Sequence, residues 1–117
     1  MRNLGLFLVT LLALGQVQAA KPHALFVVGT HHYSPHETMP ALASQLDALG
    51  WKTSVLNPGY NPEKNSKGIA GLERLQEADV AIFYTRFLTL PPDQFRLIQL
   101  YLEAGKPVVG FRTSTHA

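Results

Sequence analysis

The chain has 117 residues, of which 46% are hydrophobic and 15% charged, enough for one globular domain and too apolar for a disordered chain. It contains no cysteine, which excludes a disulfide framework, a thiolate zinc site and a cysteine nucleophile. Ten Lys and Arg against eight Asp and Glu give a formal charge of +2 with no basic run, so no nucleic-acid partner is indicated.

In chain order, the first segment differs in kind from the rest. Met1-Arg2-Asn3 is positively charged, Leu4 to Leu14 is apolar apart from Thr10, and Gly15 to Ala20 is small and polar, with Val17 and Ala19 placed as a cleavage signature. An apolar run of about eleven residues spans roughly 16 Å as a helix, short of the roughly 30 Å needed for a stable membrane anchor. Residues 1–19 therefore read as a signal peptide, and residues 20–117 as an exported domain, secreted or periplasmic after cleavage.

From residue 24 the pattern alternates. Ala24 to Gly29 is a continuous apolar run ending in glycine, the pattern of a parallel strand buried on both faces. A polar loop follows, Thr30-His31-His32-Tyr33-Ser34-Pro35-His36-Glu37. Met39, Leu42, Ala43, Leu46 and Leu49 then recur at helical spacing up to Gly50. The helix start has two readings, Ser34 with Pro35 behind it or Thr38. Thr38 is preferred, because it keeps Pro40 in the first turn and leaves all three histidines on the loop. Lys52 to Leu56 is a second strand, and the polar stretch Asn57 to Gly68 a long surface loop with room for a function. Leu72 to Ala78 is a short helix, Val80 to Tyr84 a third strand, Pro92 onward a helix ended by Gly105, and Pro107 to Phe111 a fourth strand.

This βαβαβαβ order predicts a three-layer, doubly wound α/β fold with a mostly parallel sheet in order 2-1-3-4. Ligands of such sheets lie beyond the carboxyl ends of the strands, where the order reverses. The first helix would cover one face nearly alone, and no further helix follows the fourth strand. The chain accordingly reads as the N-terminal part of a longer domain, truncated after strand 4.

Three stretches together carry a family resemblance: Leu25-Phe26-Val27-Val28-Gly29-Thr30-His31-His32-Tyr33, Glu37-Thr38-Met39-Pro40-Ala41-Leu42-Ala43, and Ala104-Gly105-Lys106-Pro107-Val108-Val109-Gly110-Phe111-Arg112-Thr113-Ser114-Thr115-His116-Ala117. Asp79 and Leu90-Pro91-Pro92-Asp93-Gln94 fit the same pattern. The chain from about residue 24 onward resembles the ThuA-like (trehalose utilisation) family. The resemblance implies a flavodoxin-like, class I glutamine amidotransferase-like fold and a part in the use of trehalose or a keto-sugar. It does not imply glutaminase activity, because Arg112 stands where the amidotransferases carry their nucleophile cysteine.

Candidate ligand-binding residues are those expected beyond the strand ends: His31, His32, Tyr33 and His36 after strand 1, Arg86 after strand 3, and Arg112 and His116 after strand 4. Histidine changes protonation near neutral pH, and arginine offers a planar fork of donors suited to an anion or to several hydroxyls. His32 and His116 are the candidate catalytic groups, with Arg112 orienting the ligand. No Gly-rich phosphate loop is present, which excludes nucleotide cofactors, and none is expected. HHxxxH is not a recognised metal-ligand spacing, so no metal is assigned. Thr113-Ser114-Thr115 is expected to cap a helix, and Trp51, Tyr60 and Tyr84 are further rings that could stack on a sugar. His23, at the other end of the sheet, is set aside. A small-molecule carbohydrate is the expected partner. A non-catalytic carbohydrate-binding module and a metal-dependent hydrolase are the alternatives.

Overall fold

The computed structural model describes residues 20–65 and 67–116. The expected signal peptide lies outside them. Among the described residues no helix is long and apolar enough to cross a membrane.

The elements are β1 (His23–Gly29), α1 (Pro35–Ala48), β2 (Lys52–Leu56), β3 (Val80–Thr85), α2 (Pro92–Glu103) and β4 (Val108–Gly110). Short 3₁₀ segments occupy Pro62–Lys64, Leu72–Glu77 and Arg112–His116. The four strands form one sheet in the order β2-β1-β3-β4, with every pair parallel, as expected from the sequence. The architecture is α/β and consistent with a flavodoxin-like fold.

β1 is buried along its whole length because strands flank it on both sides and layers cover both faces. Its alternate residues feed two cores. Leu25 and Val27 pack with Ala81, Phe83, Leu72, Leu75 and Tyr101, under the 3₁₀ segment Leu72–Glu77 and α2. Ala24, Phe26 and Val28 pack with Ile82, Tyr84, Met39 and Ala43 under α1. The short helix expected at Leu72 to Ala78 is thus a 3₁₀ segment, entered through Gly71 at φ +88°.

The preferred start of α1 at Thr38 is corrected. The helix begins at Pro35, with Ser34 as N-cap in the left-handed region, and Pro40 lies inside it. Proline at position 40 cannot donate to the His36 carbonyl one turn back. Asn57 makes up the loss, its Nδ2 donating to the His36 oxygen at 2.9 Å. His36 is therefore in the first helical turn, not on the loop. α1 ends in a Schellman motif: Gly50, at φ +95°, donates to Asp47 O, and Trp51 donates to Leu46 O.

Gly29 closes β1 opposite Thr85 of β3. A Cβ there would lie 2.6 Å from Thr85 Cγ2, so only glycine lets the two strands stay paired to the carboxyl end. That tight closure brings the loops after β1, β3 and β4 to one edge of the molecule.

Candidate carboxyl-end ligand site

The loop after β1 is tied down from below. Thr30, fully buried, donates through Oγ1 to Glu63 Oε2 at 2.6 Å and accepts from the His32 amide at 3.0 Å. The Asn61 Oδ1 accepts from the amides of both His31 and Glu63, at 3.2 Å each. The other Glu63 oxygen faces Arg86 Nη1 at 3.4 Å, and this pair is only 14% and 30% exposed. The loop after β2 thus supplies a carboxylate and an amide that hold the histidine loop in place. The sequence reading located this loop but named neither Glu63 nor Asn61. The available signal was Asn61-Pro62-Glu63, where asparagine caps a turn opened by proline and accepts from Glu63 N.

Above this base the candidate side chains fall into three groups. His31 and His36 lie ring on ring, with centroids 3.9 Å apart and planes tilted by 25°. His32 meets the edge of Tyr33 at 4.1 Å, and the Arg112 guanidinium covers the Tyr33 ring at 4.0 Å. In the third, Arg86 lies 4.9 Å from the Phe87 ring, which stacks on His116 at 5.6 Å. His116 therefore packs on Phe87 rather than on His32. Phe87 was not among the sequence candidates. It and Tyr33 are both exposed, at 57% and 53%.

The other aromatic candidates serve the fold. Tyr84 is buried against Phe111, Trp51 packs beside the α1 core, and the Tyr60 hydroxyl donates to Gly68 O at 2.6 Å. Thr113 and Ser114 do not act as helix caps. The Thr113 hydroxyl donates to Thr85 O at 2.9 Å. Ser114 Oγ donates to Phe83 O at 2.9 Å and accepts from Thr85 N at 3.2 Å. Both hydroxyls carry the pairing of β3 past the end of β4, which commits Ser114 to the backbone.

The backbone at this edge is strained. Tyr33, Ser34, Phe87 and Arg112 have φ of 65°, 59°, 45° and 35°. Among the described residues these are all the non-glycine residues with positive φ, and each follows the carboxyl end of β1, β3 or β4. Such conformations cost of order 1–3 kcal/mol each and concentrate at functional sites.

His31 Nε2 and His36 Nδ1 are buried without a hydrogen-bond partner. Burial, and then the neighbouring His36, hold the His31 imidazole below its ordinary value near 6.5, against a raising contribution from the Tyr60 carbonyl. The sign follows. The unfolded chain takes a proton at His31 before the folded chain does. The stability from neutral His31 is thus complete above about pH 6.5 and declines as the pH falls toward the folded-state value. Urea unfolding between about pH 7 and pH 5 should therefore show a shallower loss of stability in His31→Gln than in the parent chain.

Imidazole lone pairs lie in the ring plane, and two nearly parallel planes 3.9 Å apart do not aim them at one ion. Among the described residues no three His, Asp or Glu side chains are grouped to hold a metal. A broad basin of about 710 Å³ lies at the opposite, amino end of the sheet, lined by His23, Asp47, Trp51 and Asp79. Three of its polar residues are engaged within the fold. His23 Nε2 meets Ser54 Oγ at 2.8 Å, Asp79 accepts from His23 N, and Asp47 accepts from Thr53. The carboxyl end, with unpartnered ring nitrogens and strained loops, has the better claim to a ligand.

No protein-family model matches the chain, and neither does a curated protein or a solved structure.

Proposed function

We propose that this chain is an exported ThuA-like domain that binds a carbohydrate, trehalose or a keto-sugar, with the loops at the carboxyl end of a class I glutamine amidotransferase-like sheet. The observation that carries the reading is the gathering of every left-handed non-glycine residue among those described at the ends of β1, β3 and β4. Strain of that kind is retained where a site needs it. The side chains held there, His32, Tyr33, Arg112 and His116, combine donors, an aromatic face and a proton carrier, which suits a ligand rich in hydroxyls. With Arg112 in place of a cysteine, the proposed chemistry excludes glutamine hydrolysis.

His32 is exposed, so its loss should leave the fold intact. His32→Ala should weaken trehalose binding at least tenfold, about 1.4 kcal/mol, with unfolding stability unchanged within about 0.5 kcal/mol. Calorimetric titration and urea unfolding of the same variant check both. Unaltered trehalose affinity would remove His32 from the site.

A further inference from the structure

The turn that joins β1 to α1 is closed by a pair of histidines. His31 follows the strand, His36 stands in the first turn of the helix, and their rings stack at 3.9 Å. Between them Tyr33 and Ser34 hold φ of 65° and 59°, two left-handed residues in succession, neither a glycine. Such backbone persists only where its surroundings over-determine it. The Ser34 amide donates to His31 O at 2.9 Å, the His32 amide to Thr30 Oγ1 and the His31 amide to Asn61 Oδ1, and the ring stack closes the turn from the side-chain level.

That closure suits neutral rings. His31 Nε2 and His36 Nδ1 are buried without a hydrogen-bond partner. On a neutral imidazole such a nitrogen is a bare acceptor. Protonation turns it into a charged donor, and a buried charged donor without an acceptor is the costlier of the two. The same proton sets a cation against the second ring and, on His36, at the positive end of the α1 dipole. Few neighbours offset this. On α1, Glu37 Oε1 lies 3.9 Å from His36 Nε2, but at 73% exposure it is screened by water. On the loop after β2, the Tyr60 carbonyl faces His31, while Glu63 is committed to Thr30 and Arg86. At the ends of β3 and β4, Arg86 and Arg112 add positive charge, and His32 turns to the edge of Tyr33.

We propose that the His31–His36 stack is an acid-released latch: neutral, it holds the turn in its left-handed form, and protonated, it lets the turn relax and frees His32 and Tyr33 from their fixed places while the sheet stays folded. Burial, and then His36, hold the His31 imidazole below its ordinary value, so the latch is shut at neutral pH and opens in mild acid. The inference concerns the loop itself and does not depend on what the loop binds.

Amide hydrogen exchange of the full chain, without ligand, at about pH 7.5 and about pH 5 tests it, with rates expressed as protection factors so that the intrinsic pH dependence cancels. The amides of His31, His32 and Ser34 should lose at least about tenfold protection in acid, while those of Leu25 to Val28 in β1 change by less than about threefold. In His31→Phe, which keeps a ring in the stack and removes the titrating one, the loop's acid loss should fall below about threefold, with β1 protection showing that the variant is folded. In the parent chain the opening should share its midpoint with the titration of the His31 Cε1–H resonance. Loop protection that acid leaves unchanged would overturn the latch. So would an equal loss in β1, because the opening would then be global unfolding. A midpoint apart from that of His31, or an acid loss that survives in folded His31→Phe, would remove the histidine pair as its cause.

Discussion

Phe26→Ala should destabilise the chain by about 3–5 kcal/mol. Phe26 is completely buried in β1, with Val55 of β2 and Ile82 of β3 beside it in register, and it belongs to the core under α1 with Met39 and Ala43. Removing the ring forfeits its transfer free energy and leaves a cavity. A strand held by neighbours on both sides cannot move to fill that cavity. Because whole domains are stable by only about 5–15 kcal/mol, a loss of this size is a large share of the total. Val109→Ala provides the contrast. Val109 is 44% exposed on the edge strand β4 and should cost under about 1 kcal/mol. Urea midpoints of the two variants, at an unchanged m-value, give the comparison. Equal losses would mean that the sheet is not centred on β1.

Glu63→Ala should cost about 2–4 kcal/mol and should also loosen the histidine loop. The carboxylate is 86% buried by its 14% exposure, accepting from Thr30 and facing Arg86. Its removal strands a guanidinium and a hydroxyl that were desolvated for its sake, and the unpaired charge is the larger penalty. Thr30 in turn accepts from the His32 amide, so the damage passes to the loop itself. Glu63→Gln keeps the shape and one acceptor, and should lose only about 1–2 kcal/mol. Urea unfolding gives the energies, and amide hydrogen exchange at residues 31–34 reads the loop. A wild-type exchange pattern in Glu63→Ala would show that the loop does not depend on this carboxylate.

Much of the fold is legible because it rests on burial. The continuous apolar runs of β1 and β3 are what a strand covered on both faces requires, and parallel crossovers then dictate the order β2-β1-β3-β4. The start of α1 is hard to read because Pro40 argues locally against a helix, while the donor that compensates at the His36 carbonyl, Asn57, lies twenty-one residues beyond His36. The seven sequence candidates all lie at the carboxyl end, but the residues beneath them were harder to see. Glu63 belongs to a polar loop without periodicity, where one acidic residue resembles any solvated charge. The left-handed conformations of Tyr33, Ser34, Phe87 and Arg112 leave no mark in composition, since none of these residue types favours positive φ as glycine does. Thr113 and Ser114 look like cap residues, and only the shortness of β4 turns their hydroxyls toward the edge of β3.

The central claim is that the carboxyl-end loops take the ligand. It is tested most directly by mapping amide chemical shifts of the isotopically labelled full chain during titration with trehalose. The account predicts concerted, saturable shifts at residues 30–36, 61–63, 86–87 and 112–116. An absence of shifts in those loops, or shifts confined to the amino-end basin around His23, Asp47 and Trp51, would contradict it.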